Sequence, residues 1–325
     1  MKKSVFISSV EDIKCINKHI MNNLMSKEKQ METAKIVIPS YRRPNDVKSL
    51  ETLSENTQRK HVWIAVREEE LEAYKANYPH CNYKILPNVS NVAETRQRIN
   101  EVFDGTVLVI DDDVRFHTTK LLYETTNKKG VTHKHEGGII KVQELLDDDG
   151  IDEMLQYVRE LSEQYHYGSI RSFHFPRGED YYPYTLNKPA IWCVWFNVDE
   201  GKFDTQKYNY ENGPIFLEDV YMSVVYYDDG NDFAVVGKYA ITKAHSTGDQ
   251  DGGCQDKDDE GNVIRHIEHN RSAKWLADNY PEYCVLKHSN QNSKTMGAQT
   301  NTVIAKLSEK RREKRHKATL ETFFE

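Results

Sequence analysis

The chain lacks any apolar run long enough to cross a bilayer, and its amino terminus lacks the apolar core of a signal peptide, so a cytoplasmic protein is expected. Cysteine is sparse: five residues, at 15, 81, 193, 254 and 284, form no C-x-x-C pair and are odd in number. That argues against a disulfide framework and a zinc ribbon, and reduced thiols are expected. Positive charge is also short, and a formal net charge of -7 opposes wholesale affinity for nucleic acid. What remains is a polar chain of 325 residues, 38% hydrophobic and 29% charged, too rich in Tyr, Val and Ile to be disordered. It suits one large α/β domain with additions or two modest ones.

The most informative segment is Thr106-Val-Leu-Val-Ile-Asp111-Asp112-Asp113. A run of buried-strand residues ends in three acids, which is costly unless something neutralises them. The carboxyl end of a buried strand is where open α/β sheets place their ligands, and carboxylate oxygens suit Mg²⁺ or Mn²⁺. Metal-assisted chemistry on a phosphorylated substrate is the leading idea. A second triplet, Asp147-Asp148-Asp149, precedes a capped amphipathic helix and fits its positive end instead.

Periodicity orders the rest. Residues 1–31 read as an amino-terminal helical extension with a linker, from Ile13, Ile16, Ile20 and Leu24. Strands are expected at 35–39, 61–66, 83–86 and 106–110, alternating with helices near 45–56, 67–77 and 92–103; Asn91 and Glu94 have capping-box spacing. This alternation implies right-handed βαβ units and a mostly parallel sheet, with 32–114 as a nucleotide-binding half. From 115 to 150 the pattern breaks up, with Lys128-Lys129-Gly130 and His133-x-His135 followed by Gly137-Gly138, and a mobile excursion over the site is expected. A helix over 151–166, strands at 169–175 and 190–198, a helix from Leu217 and a strand over 233–243 follow. The glycine- and acid-rich loop at 244–253 closes a second half that extends to 260. Residues 261–325 are expected to be helical with a basic tail.

Together these elements resemble the GT-A class of nucleotide-sugar glycosyltransferases, over about 35–250. The first motif is Ile36-Val-Ile-Pro39-Ser40-Tyr41-Arg42-Arg43-Pro44, similar to the family's first strand and its nucleoside-holding loop. The second is Asn91-Val-Ala-Glu-Thr-Arg96-Gln-Arg98, whose like in the family sets an Arg toward the donor diphosphate. Arg96 is the better candidate and Arg98 the alternative, because guanidinium binds phosphate oxygens bidentately. The third is Asp111-Asp112-Asp113, which fits the DxD signature; the resemblance makes Asp113 the metal ligand and Asp111 the ribose or outer-sphere partner, with Asp112 less defined.

Two later features continue the resemblance. Glu218-Asp219 is similar to the acidic pair behind the acceptor, where Asp219 would act as general base in an inverting reaction; in a retaining one the pair would only bind acceptor. His245 would be a further metal ligand, and Mn²⁺ or Mg²⁺ is the implied cofactor. His133 and His135 lack Cys partners and read as solvent-facing. The implied fold is an α/β, GT-A-like (Rossmann-like), mostly parallel twisted sheet flanked by helices.

The acceptor side is read from aromatics and charge. Trp192 and Trp195 are, with Tyr182, candidates to line the acceptor pocket. Between 306 and 317 seven basic residues, Lys310, Arg311, Arg312 and Arg315 among them, face two acids. That segment could clamp DNA phosphates. The Asp-Asp-Asp, Glu-Asp and His-Ser-Thr-Gly pattern looks like the phage DNA-modifying and TET-associated glycosyltransferases. This implies a UDP-sugar donor, 5-hydroxymethylcytosine in DNA as acceptor, and the host cytoplasm as location if the protein is phage-encoded. A glycan or protein acceptor is the alternative; a metal-dependent nuclease and a non-catalytic DNA-binding module are rivals of other classes. A sugar-nucleotide pyrophosphorylase would need a glycine-rich loop after the first strand, and Pro39–Pro44 contains no glycine.

Overall fold

In the computed structural model, residues 33–172, 182–188, 190–244, 264–288 and 301–307 are described. The expected helix within 1–31, His245, and Lys310, Arg311, Arg312 and Arg315 lie outside them.

Strands β1 (Lys35–Pro39), β2 (Val62–Val66), β3 (Asn82–Ile85) and β4 (Thr106–Ile110) are mutually parallel, in the order β3-β2-β1-β4. The single helix expected over 45–56 is instead a 3-10 turn, Lys48–Thr52, followed by α1 (Glu55–His61). Leu53 is extended, and Ser54 accepts a hydrogen bond from Thr57 N–H, so a new helix starts where one was expected to end. After α2 (Leu71–Asn77), α3 (Val92–Val102) has a reciprocal cap: Asn91 Oδ1 accepts from Glu94 N–H at 3.0 Å, while Glu94 accepts from the Asn91 side chain and Ser90 N–H.

Most of the segment 115–150, where the pattern breaks up and no strand is expected, is a long antiparallel hairpin, β5 (Val114–Thr126) and β6 (Thr132–Leu145). Leu121 and Leu122 pair with Ile140 and Ile139, and the threonine-rich flanks suit a strand. Helix α4 (Asp148–Ser162) leads to β7 (Tyr167–Ser172), β8 (Tyr184–Leu186) and β9 (Cys193–Asn197). Helix α5 (Glu218–Asp228) precedes β10 (Ala234–Lys243). The sheet continues past β4 as β9-β7-β10-β5-β6, with β8 on β10, so both expected halves share one sheet. The carboxyl-terminal region is not wholly helical: α6 (Ile264–Asn279) is followed by the antiparallel pair β11 (Cys284–His288) and β12 (Asn301–Ala305), where β-branched Val285, Thr302, Val303 and Ile304 favour extended backbone.

The period of two sends alternate residues to opposite faces. Ile36, Ile64, Leu108 and Ile110 pack with Ile151, Met154, Leu155 and Val158 of α4; Val37, Ala65, Val107 and Val109 pack with Ile99 of α3 and Val220, Met222 and Val224 of α5. Each such fully buried aliphatic side chain contributes about 1.5–3 kcal/mol. β4 and β10 end, and antiparallel β9 begins, at one edge, so Asp111, Lys243 and Trp192 meet there. No helix among the described residues is long and apolar enough to cross a membrane.

Candidate active site

The acidic turn is fastened at every peptide. Asp111 N–H donates to Trp192 O at 3.1 Å, and the Ser49 hydroxyl donates to Asp111 O at 2.9 Å while accepting from Val114 N–H at 2.7 Å. Ser49 N–H donates to Asp112 O at 2.9 Å and Ala244 N–H to Asp113 O at 2.7 Å. The backbone cannot rotate to shed its charges, so the carboxylates must be met where they stand.

Asp111 lies between two cations: Arg96 donates to Oδ1 at 3.1 Å and Lys243 to Oδ2 at 2.8 Å. Burial opposes its ionisation, but Lys243 and Arg96 outweigh burial and hold the carboxyl below its usual range. Lys243 Nζ also sits 3.3 Å from Asp113 Oδ1, bridging the outer acids, and 4.9 Å from the centre of the Trp192 ring. Burial raises Asp113.

Asp112 turns toward the loop after β1. Arg43 Nη1 donates to both its oxygens, at 3.1 and 3.3 Å, and the Ser40 hydroxyl lies 3.4 Å away. Burial pushes its carboxyl up to about 6 against Arg43. In that loop, Pro39 ends β1, Ser40 accepts from Tyr74 Oη, and Arg42 N–H donates to Glu70. The Arg42 and Arg67 guanidinium groups lie over the Tyr41 ring, at 4.8 and 3.9 Å from its centre.

Behind these acids lies Arg96, 1% exposed, with Glu218 Oε1 at 3.4 Å from Nε and Asp219 Oδ1 at 3.9 Å from Nη2. Burial disfavours its charge, yet Asp219, Glu218 and Asp111 together raise its pKa. It was expected to face a diphosphate; it is instead the buried counter-ion of three carboxylates, while Arg98 pairs with Glu101 and Glu211 at the surface. Glu218 and Asp219 occupy the first turn of α5, where the helix dipole favours carboxylates. Trp192 N–H donates to Asp219 Oδ2 at 2.9 Å. Burial, reinforced by Asp219, pushes Glu218 up to about 8, and burial raises Asp219 as well. Arg42, Trp192 and Leu217, all beside these groups, are non-glycine residues at φ of 56°, 62° and 60°. Such conformations persist only where surrounding contacts fix them.

Some sequence expectations are corrected. Trp195 cannot line an acceptor pocket: it is 0% exposed, its Nε1 donates to Tyr165 O at 3.2 Å, and its ring fills the space left by Gly168. Trp192 and Trp195 are not equivalent positions: three residues apart, they would fall on opposite faces of a strand, and Trp192 precedes β9 in a left-handed conformation. Tyr182 is not brought to the acids. Its neighbour Pro183 accepts from Gly237 and Lys238 N–H, five residues before Lys243, roughly 15 Å along β10. Ser49 and Lys243 were missed, and Arg43, though part of the first motif, was given no role of its own; Lys243 had a visible signal as a lysine ending an apolar strand two residues before His245.

The donor set suits a hard divalent cation. Among the described residues, Asp111, Asp112, Asp113, Glu218 and Asp219 face Arg43, Arg96 and Lys243, an excess of two negative charges if all ionise. Asp219 Oδ1 is buried there without a hydrogen-bond donor. No three His, Cys, Asp or Glu side chains among the described residues form a ready metal cage. Mg²⁺ chemistry does not need one, since one or two carboxylates plus substrate phosphates and water suffice.

A family model described as TET-Associated Glycosyltransferase matches residues 34–253, more than half of the chain. The chain belongs to the TET-associated glycosyltransferase family. As a member it is a glycosyltransferase, and the acidic turn, Arg96 and the Glu218-Asp219 pair all lie inside the matched span. No curated protein matches it. Solved structures similar to this glycosyltransferase include 4-diphosphocytidyl-2C-methyl-D-erythritol synthase from Anaerococcus prevotii, at 9% identity over 39% of this chain and 74% of that one, TM-score 0.21. Another is mannose-1-phosphate geranyltransferase from Thermus thermophilus, at 14% identity over 64% of this chain and 58% of that one, TM-score 0.28.

Proposed function

We propose that this glycosyltransferase moves a sugar from a UDP-linked donor to the hydroxyl of 5-hydroxymethylcytosine in DNA, with Mn²⁺ or Mg²⁺. The observation that carries the reading is the arrangement of Asp111 and Asp113 around Lys243, backed by Arg96 and the raised Glu218-Asp219 pair. It provides cationic stabilisation and a proton acceptor side by side. The loop of Pro39, Ser40, Tyr41 and Arg42, braced by Asp112 through Arg43, would hold the nucleoside.

Asp113, with Asp111 and His245, would hold the divalent ion, which when bound supplies positive charge to the departing diphosphate. Lys243 is the side chain placed to release its carboxylates and meet a phosphate. Arg96 keeps Asp111 and the acidic pair in position from beneath. In an inverting transfer, the Asp219 carboxylate takes the acceptor hydroxyl proton, the acceptor oxygen forms a bond to the anomeric carbon, and the bond from that carbon to the diphosphate oxygen breaks. The electron pair leaves with UDP. Trp192 N–H donates to Asp219 Oδ2 and so fixes the orientation of that carboxylate. Trp192 itself offers an aromatic plane for a sugar or base.

The test is release of UDP from a UDP-sugar with Mn²⁺, together with the mass of hydroxymethylcytosine DNA incubated with a panel of UDP-sugars. A sugar-sized mass gain, lost in Asp113→Ala, is expected. No binding of any nucleotide-sugar would sink the donor reading, and an unchanged base mass with labelling of a glycan or protein would overturn the DNA acceptor.

A further inference from the structure

Among the described residues, the distal part of the β5–β6 hairpin is largely exposed on both strands. From residue 123 to 137 every residue is exposed except Thr125 and His135, which are half-buried against each other through a 2.7 Å hydrogen bond. Tyr123 and Val131 are each 50% exposed. A two-stranded ribbon without a core is marginal in water, so its preservation calls for support. Support at the root comes from β5 pairing with β10. At the tip, Asn127 Oδ1 accepts from Lys129 and Val131 N–H, and Gly130 takes the left-handed turn. The ribbon bends at Gly137 and Gly138, both at positive φ; a Cβ on Gly138 would come within 2.8 Å of Leu121. The bend coincides with the register shift between Leu122 and Glu124.

Charge separates this ribbon from the rest of the chain. Residues 120–141 contain five lysines and two glutamates, with His133 and His135 in addition, whereas the whole chain is at -7. Lys134 meets Glu124 only at 3.7 Å, both well exposed. Lys128 and Lys129 form the tip. From Tyr123 to Asn127 the ribbon extends roughly 15 Å, over which a duplex presents roughly nine phosphate charges. A two-stranded ribbon also matches the width of a major groove. β5 begins at Val114, directly after Asp113, and Tyr123 lies ten residues beyond that acid, at most about 35 Å, one turn of duplex.

The geometry points to the β5–β6 ribbon as a duplex-DNA arm, in which Lys128, Lys129 and Lys134 contact the phosphate backbone within about one and a half helical turns of the base presented to Asp219. This rests on the DNA-acceptor reading above. It requires neither the Lys310–Arg315 tail nor readout of base sequence.

The full chain carrying Lys128→Gln, Lys129→Gln and Lys134→Gln tests it, because all three side chains are exposed and their replacement leaves the fold intact. The control carries Lys60→Gln, Lys75→Gln and Lys274→Gln, the same change in net charge elsewhere. Fluorescence anisotropy with a labelled hydroxymethylcytosine duplex of about 20 base pairs, at about 50 and 200 mM salt, gives affinity and salt slope. The arm variant should bind at least ~10-fold more weakly at low salt, with a salt slope smaller by about 3. Its UDP release without acceptor should match the unaltered chain, and the control should bind as the unaltered chain does. Equal binding by the arm variant, or equal weakening in the control, overturns the arm even if sugar transfer to DNA is observed. Failure of the unaltered chain to bind duplex DNA overturns both the arm and the DNA acceptor. Arm-dependent binding without sugar transfer to the base supports the arm and removes hydroxymethylcytosine as acceptor.

Discussion

Asp-Asp-Asp occurs twice in this chain, at 111–113 and 147–149, and the two triplets meet their charge by different means. At 147–149 the charge is met by uncharged donors: Asp147 accepts from Gly150 N–H at 2.9 Å as the cap of α4, and Asp148 accepts from the Ser54 and Thr57 hydroxyls at the start of α1 at 2.7 and 2.8 Å. Those hydroxyls hold the Asp148 carboxyl below its usual range. At 111–113 partners come from four separate parts of the chain, Arg43, Ser49, Arg96 and Lys243, and burial still raises Asp112 and Asp113. The same three letters therefore make a helix cap in one place and a concentration of charge in the other. Only the second stores electrostatic energy that a substrate can use.

The comparison is broken most sharply by single substitutions in each triplet. Asp113→Ala should lower the rate of sugar transfer by about three orders of magnitude or more, near 4 kcal/mol of transition-state stabilisation, while Asp148→Ala leaves it within about twofold. Equal rates in the two variants would deny the first triplet its special role. Next in size, Arg96→Met leaves three carboxylates around a missing counter-ion and should destabilise the fold by about 3–5 kcal/mol in urea. A urea midpoint like that of the unaltered chain would mean that Arg96 is not the hub of those acids.

A third test uses pH. Glu218 is raised to about 8, so between its ordinary value and 8 the folded chain keeps a proton that the unfolded chain releases. Stability from this group is present at low pH and lost as pH rises through about 8. Glu218→Gln should flatten the fall in Tm across that window, and an unchanged profile would contradict the raised value. Ser49→Ala should then lower transfer about tenfold by loosening the turn, with a stability loss of about 1–3 kcal/mol from Val114 N–H. Smallest of all, Asp147→Ala should lower Tm by about 2 °C without touching transfer.

Much of the frame was legible because it depends on local pattern. The strand periods of 35–39, 62–66 and 106–110 and the Asn91–Glu94 cap all follow from residues within one turn or one pleat of each other. The ribbon at 114–145 was missed because its stabilising pairs, such as Leu121 with Ile140, lie nineteen residues apart and interrupt no local rule. Trp195 was misplaced for a related reason. Alternation gives the face of a strand, but the depth of that face depends on what covers it, here Tyr165 and the bare backbone of Gly168.

By itself the sequence determined an alternating α/β chain with an acidic strand end and an acidic helix start, since hydrophobic period and capping are properties of neighbouring residues. Only the tertiary structure decided that Arg96 lies under those acids instead of facing outward, and that Lys243, 130 residues downstream of Asp113, bridges Asp111 and Asp113. Electrostatic energy depends on distance and burial through space, and neither is written in the order of the letters.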